Sequence, residues 1–227
     1  MNKIRYKAVL SLALSVVFFL CFSLNSTATG KVIHSGSQVG EKRVALTFDD
    51  GPHPKKTDVI LDILREYNIK ATFFVIGMNA EKYPWIVVRE AAEGHEIGNH
   101  TYSHRRLTDC TDATEEFRKT SDIIVSLTGR CPTLIRPPEG AFCEKNVEEA
   151  KNCGSDIVLW TVDTRDWAKA GVESILENVK KNVCDGSIIL FHDFTTNGAH
   201  TAEALKKIIP YLLEEGYEFV SVSQLLM

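Results

Sequence analysis

Between residues 44 and 223, short apolar runs alternate with amphipathic stretches, and no other feature of the sequence restricts the fold as strongly. The runs are VALTFDD (44–50), ATFFVIG (71–77), EIGNHT (96–101), LIRPP (134–138), DIVLWTV (156–162), SIILFHD (187–193) and EFVSVS (218–223). Between them, 57–67, 79–92, 112–128, 144–152, 172–182 and 199–214 read as helices. Strands that are apolar on both faces need cover on both, so seven such units predict an all-parallel sheet wrapped in helices. Within the α/β class, an open doubly wound sheet and a closed barrel both satisfy this. The chemically active side chains separate the two. Asp49 and Asp50 end the first run, His100 and His104 follow the third, and Arg136 lies in the fourth. Asp163 and Asp166 follow the fifth, and His192 and Asp193 close the sixth. Groups drawn from the carboxyl ends of many strands predict a distorted, TIM-like (β/α) barrel of about seven parallel strands. An open sheet concentrates its site at one switch point instead. No GxGxxG or P-loop pattern follows any run, which excludes dinucleotide and P-loop chemistry.

The amino terminus follows another rule. Residues 1–7 (MNKIRYK) are basic, residues 8–24 are apolar apart from three serines, and Ser26 and Ala28 are small residues ahead of a cleavage point. Together these describe a secretory signal peptide; an uncleaved membrane anchor is the competing reading for an apolar run of this length. The expected organisation is therefore a signal peptide or N-terminal anchor over 1–28, a Gly/Ser/Thr-rich linker over 29–42, and a single domain over 43–227. Either reading places that domain outside the cytoplasm, secreted or held at the outer face of the membrane. A chain that is 44% hydrophobic and 25% charged is neither disordered, collagenous nor multi-span. With 26 basic against 30 acidic residues it has no basic footprint for nucleic acid, and no protein partner is predicted. Setting Cys21 aside leaves Cys110, Cys131, Cys143, Cys153 and Cys184, an odd set whose pairing the sequence does not give.

His100-Thr-Tyr-Ser-His104 sets two imidazoles four residues apart, on one face if the stretch is helical. That is a common spacing for a bidentate metal clamp. Two adjacent carboxylates closing an apolar strand, Asp49 and Asp50, are costly without a cation or a task. One can bind a metal while the other accepts a proton from water. DDGP is also a good turn sequence, so a plain strand-terminal turn is the alternative.

Five segments occur in one order: Thr47-Phe-Asp-Asp-Gly-Pro52, His100-Thr-Tyr-Ser-His104, Arg136-Pro-Pro-Glu-Gly140, Asp163-Thr-Arg-Asp-Trp167 and Leu190-Phe-His192. Across residues 42–226 the chain resembles the polysaccharide deacetylases of carbohydrate esterase family 4. The resemblance implies that Asp49 is the general base and that Asp50, His100 and His104 hold one divalent metal ion. Zinc is the usual ion; cobalt, nickel or manganese suit the same donors. It implies further that Arg136 orients Asp49, that His192 is the general acid, and that Asp166 favours its imidazolium. Pro138, Glu139, Trp167 and Leu190 would contact substrate, the last two forming a slot for the acetyl methyl. Glu139 departs from the family pattern, which has Tyr there, so a wall of the groove is lost and a carboxylate stands near a developing negative charge. Any non-proline residue still offers the backbone N–H expected to face the oxyanion.

The blander expectations are a solvated His53, structural His95, core Trp85 and Trp160, and a solvated acidic face for Glu115, Glu116, Glu148 and Glu149. Asp163 is read as a partner of Arg136 or as a turn residue. The function implied is metal-dependent removal of N-acetyl groups from cell-wall glycan, peptidoglycan N-acetylglucosamine or a chitin-like oligosaccharide. The alternatives are an O-acetyl esterase on acetylated xylan and a non-catalytic glycan-binding module.

Overall fold

The computed structural model describes residues 29–37, 40–109, 113–168, 170–194 and 200–227; the signal or anchor segment, Cys21 and Cys110 lie outside the described residues. The strands are β1 (Val32–Ile33), β2 (Arg43–Asp49), β3 (Thr72–Val75), β4 (Glu96–Asn99), β5 (Leu134–Ile135), β6 (Asp156–Val158), β7 (Val162–Asp163), β8 (Ser187–His192) and β9 (Glu218–Phe219). The helices are α1 (Lys56–Glu66), α2 (Gly77–Lys82), α3 (Pro84–Ala92), α4 (Ala113–Thr128), α5 (Glu144–Asn152), α6 (Val172–Asn182), α7 (Thr201–Glu214) and α8 (Val222–Leu225).

All pairings among these strands are parallel, in the order β1-β6-β5-β4-β3-β2-β8-β7, with β9 also on β2. The expected strand 156–162 is in fact two pieces: β6 pairs with β5, whereas β7 pairs with β8. Because only residues 159–161 separate the pieces, the two ends of the sheet meet in one interrupted strand, and the result is a distorted barrel. The seam is filled from the amino terminus. Inside the segment read as a linker, β1 pairs Val32 with Ile157 and Ile33 with Val158, and the Gly36 amide donates to the Gly186 carbonyl at 2.8 Å.

Two other boundaries differ from expectation for local reasons. Proline lacks an amide hydrogen and favours the first helical turn, so the single helix expected over 79–92 breaks into α2 and α3, with Pro84 opening the second. The strand expected over 218–223 stops at Phe219, because Ser221 and Gln224 form a reciprocal capping box that starts α8.

The strand period of two then sorts β2 into two roles. Val44, Leu46 and Phe48 face outward into the core under the helices, with Ile60, Leu61 and Leu64 of α1 and Leu205, Ile208 and Leu212 of α7. Ala45 faces the barrel interior, whose floor is closed by Phe74, Leu134, Ile188, Val222 and Leu225. Thr47 and Asp49, in phase with Ala45, therefore climb the interior toward the carboxyl-terminal mouth. Phe48 stacks between Phe73 and Phe191, with centroids 5.0 and 5.7 Å away, and is fully buried. Replacing it with alanine (Phe48→Ala) is expected to lower unfolding free energy by about 3–5 kcal/mol, read from the midpoint of urea denaturation.

Candidate active site

Arg136 is the largest fully buried side chain described. It leaves the end of β5 and enters the barrel between two rings, its guanidinium carbon 4.1 Å from the Phe74 centroid and 5.7 Å from that of Trp160. Nη1 donates to Asp49 Oδ1 and Thr47 Oγ1, each at 2.8 Å. Nε and Nη2 donate to the Val158 and Leu159 carbonyls at 3.3 and 3.0 Å. Those carbonyls lie where β6 leaves the ladder, so the break in the strand supplies the acceptors a buried guanidinium needs. Asp163 is not among these partners. Its Oδ1 accepts the Arg165 amide at 2.8 Å and the Trp167 indole N–H at 3.3 Å, the turn role of its two expected readings.

The backbone carbonyl of Arg136 orients a second group. His100 Nδ1 donates to it at 2.7 Å, which leaves the Nε2 lone pair facing Asp50. Asp50 Oδ1 lies 3.3 Å from His100 Nε2 and 3.1 Å from His104 Nε2. Asp49 Oδ2 is 3.9 Å from His100 Nε2. The Asp50, His100 and His104 donor atoms all fall within 4.8 Å of one another. Asp50 Oδ1 is buried with no hydrogen-bond donor. Lone pairs converging on a buried, unpartnered carboxylate oxygen fit a cation, and the His₂Asp set suits a divalent metal. Burial alone would raise the Asp50 carboxyl, but His100 and His104 hold it well below the usual range. Asp50 in turn, with its carboxylate 3.1 Å from the ring, raises His104.

The His-x₃-His segment is not helical. Thr101 and His104 both adopt left-handed backbone conformations, with φ of 65° and 59°, so the spacing works through a braced loop rather than a helix face. Asn99 Oδ1 accepts the Thr101 amide at 2.8 Å, and its amide nitrogen is anchored on the Phe117 carbonyl and Ser121 Oγ of α4. Glu116, expected on a solvated face, accepts the Tyr102 and Ser103 amides at 2.8 and 2.7 Å and the Ser103 hydroxyl at 2.8 Å. It braces the His100–His104 loop. Spacing alone gave no sign of this, because the bond joins α4 to a loop that only the fold brings near.

Across the mouth, His192 Nδ1 pairs with Asp166 Oδ1 at 2.8 Å. Asp166 Oδ2 also accepts the His192 amide at 2.9 Å and the Thr201 hydroxyl at 2.7 Å. Burial opposes the imidazolium, but Asp166 at hydrogen-bond distance, helped by Asp49 and Asp50, pushes His192 up to about 9. Asp49 and His192 are cross-strand register partners on β2 and β8. They flank a cavity of about 470 Å³ whose walls include Asp50, His100, His104, Glu139, Trp160, Asp163, Trp167 and Leu190.

Of the expected substrate contacts, Glu139, Trp167 and Leu190 line this cavity; Pro138 is buried beside it and does not. Trp160, read as core, forms part of the wall. Glu139 sits at φ 59°, and its carboxylate turns to Arg106 Nε at 3.4 Å, where both side chains are exposed. His53 is not merely solvated: its Nδ1 accepts the Lys55 and Lys56 amides at 3.2 Å and opens α1. His95 is structural as expected, buried with Nδ1 accepting the Ala71 amide. Trp85, by contrast, is exposed.

A parallel barrel with a carboxylate–histidine metal cradle, a second carboxylate beside it and an acid-form histidine opposite defines a hydrolase class. Comparison with known proteins makes the class specific. The family model "Polysaccharide deacetylase" matches residues 36–158. A peptidoglycan-N-acetylglucosamine deacetylase of Bacillus cereus is 43% identical over 193 residues, which cover 82% of this chain and 89% of that one. The peptidoglycan-N-acetylmuramic acid deacetylase PdaC of Bacillus subtilis is 41% identical over 82% of this chain, which spans 39% of PdaC. A crystal structure of a peptidoglycan N-acetylglucosamine deacetylase bound to an N-hydroxybenzamide compound superposes with a TM-score of 0.82 at 42% identity, covering 86% of this chain and 92% of that one. The chain belongs to the polysaccharide deacetylase family.

Two outcomes follow from this geometry. Glu116→Ala should weaken divalent-metal affinity about 10- to 100-fold with the fold intact, measured by competition with a chelating dye. In the metal-free protein, NMR titration should place His192 near pH 9, and Asp166→Asn should return it toward about 6.5. The folded value is raised, so this pairing stabilises fully below about pH 6.5 and is lost as pH rises through about 9.

Proposed function

We propose that the chain is a metal-dependent de-N-acetylase acting outside the cytoplasm on peptidoglycan N-acetylglucosamine, with zinc as its ion. The observation that carries this reading is the pairing across one cavity of Asp49 and the Asp50–His100–His104 cradle with an acid-form His192. The family membership and the amide-hydrolysing relatives support it, and the basic–apolar–small pattern of residues 1–28 supports the location.

A divalent ion held by Asp50, His100 and His104 supplies Lewis acidity toward water and toward the amide carbonyl. Asp49, fixed by Arg136 through one oxygen, keeps the other turned toward His100 and the cradle, where it accepts the proton of the attacking water. The Glu139 backbone, bent into a left-handed conformation at the cavity wall, presents its N–H to the developing oxyanion. His192 Nε2, opposite the Nδ1–Asp166 bond, delivers a proton to the departing amine. Without that proton the leaving group would be an amide anion, so an imidazolium stable at neutral pH is what the reaction requires. Trp167 and Leu190 form the apolar slot for the acetyl methyl.

Acetate release by the zinc-loaded protein tests this on peptidoglycan, chitooligosaccharide and acetylated xylan. Acetate is expected from the glucosamine polymers, abolished by chelation and by Asp50→Ala. Asp49→Asn should retain the metal and lose about 10²- to 10⁴-fold in kcat. Acetate from xylan alone would overturn the amidase reading. Absence of acetate from all three despite bound metal would overturn the catalytic one.

A further inference from the structure

Gly51 is a glycine for want of space. Its φ lies outside the left-handed region, so the backbone there would accept a side chain. A Cβ at this position would nevertheless lie 2.1 Å from Asp193 Oδ2, 2.5 Å from Oδ1 and 2.6 Å from the carboxyl carbon. Those are the three nearest atoms, all of one side chain, and Cβ atoms do not approach other heavy atoms so closely. The residue after Asp50 is thus restricted by the residue after His192.

Asp193 is 1% exposed, and its Oδ1 has no hydrogen-bond donor among the described residues, an arrangement that carries a desolvation cost. Oδ2 accepts the Thr57 hydroxyl at 2.5 Å, and Thr57 Oγ1 in turn accepts the His53 amide at 2.8 Å. The Asp193 amide donates to the Asp49 carbonyl at 3.1 Å, just past the last register pair of β2 and β8, Asp49 with His192. Beyond that rung the two chains part. There the carboxylate stands against the turn that carries Asp50, touching it at Gly51 and, through Thr57, at His53. It is not one of the walls of the cavity between Asp49 and His192. β3 and β8 flank β2, and the turn is held from the β3 side as well. The Ile76 amide donates to the Gly51 carbonyl at 2.9 Å, and Asn79 Nδ2 to the Asp50 carbonyl at 2.7 Å.

We propose that Asp193 is a positioning residue for the reaction: packed against Gly51, it fixes where the Asp50 turn stands relative to His192. The inference rests on the deacetylase reading and adds to it a residue that touches neither substrate nor ion. His192 comes from β8 and Asp50 from the turn after β2, so the span between acid and cradle is set where those two chains part. The Asp193 carboxylate is the spacer at that point. A misplacement of about 1 Å across such a site costs on the order of 10²-fold in rate.

The test is a double-variant cycle: Asp193→Ala, Gly51→Ala and the two together, with Asp193→Asn as the conservative control. Acetate release from chitooligosaccharide by the zinc-loaded proteins is read beside zinc affinity, taken from competition with a chelating dye. Each single alanine variant should lose about 10- to 100-fold in kcat, with KM within about twofold of native. Each should also lose about tenfold or more in zinc affinity. The double variant should recover about tenfold over Gly51→Ala on both measures, because the methyl then takes the room the carboxylate left. Asp193→Asn keeps the shape and the acceptor for Thr57, and should stay within about threefold of native. Losses that add in the double variant overturn the proposal. So do an Asp193→Asn variant as damaged as Asp193→Ala, and single variants whose losses follow only the folded fraction in urea. If Gly51→Ala does not fold, a folded double variant supports the contact and an unfolded one overturns it. If the native protein releases no acetate, the deacetylase reading falls, and the zinc affinities still decide whether Asp193 positions the turn.

Discussion

The ion pair between Arg136 and Asp49 is the interaction on which the rest of the interior depends. A fully buried guanidinium is tolerated only where its donors are satisfied, and removing one partner of such a pair leaves an uncompensated charge that costs about 3–5 kcal/mol. Here the acceptors are Asp49, Thr47 and the Val158 and Leu159 carbonyls. Two of the four exist because a strand stops short. The irregularity of the barrel and the position of the Asp49 carboxylate are thus one fact. The same residue fixes the tautomer of His100 through its own backbone carbonyl, so the orientations of Asp49 and His100 share an origin.

Around that pair the site separates unlike tasks between like groups. Asp49 and Asp50 are chain neighbours, yet the strand sends Asp49 inward to Arg136 while a positive φ at Asp50 swings its carboxylate to two imidazoles. His100 is buried and His192 half-buried, and both are imidazoles of the same pocket. The first gives its Nδ1 proton to a neutral carbonyl and keeps a lone pair for a cation; the second gives it to a carboxylate and so keeps its charge. Residue type does not distinguish the two rings in this pocket; the acceptor behind each does.

Much of this was legible in the chain. The alternation of apolar runs and helices yields a parallel barrel because both faces of each strand must be covered, and the placement of Asp49, His100, Arg136 and His192 at run ends marks the mouth. What escaped were relations between distant segments. Val32 and Ile33 form a strand only because a seam exists for them to fill. Glu116 looks like any acidic residue on a helix until α4 brings it against the amides of residues 102 and 103. Trp160 reads as core in an apolar run, and the break after β6 turns it to the cavity wall. The condition under which His100 and His104 would share a helix face is not met, because two left-handed residues, which sequence spacing does not encode, bend the loop.

The direction of β1 has a further meaning. It runs parallel to β6, and the amides of Thr29 and Lys31 bind Asp156 at the first residue of that strand. The described chain therefore enters the barrel on the side of its floor, beneath the plug formed by α8, at the pole opposite the catalytic mouth. A tether acting at Thr29 would pull on the floor and leave the mouth turned outward, so that the barrel would face the surrounding polymer rather than the surface it hangs from.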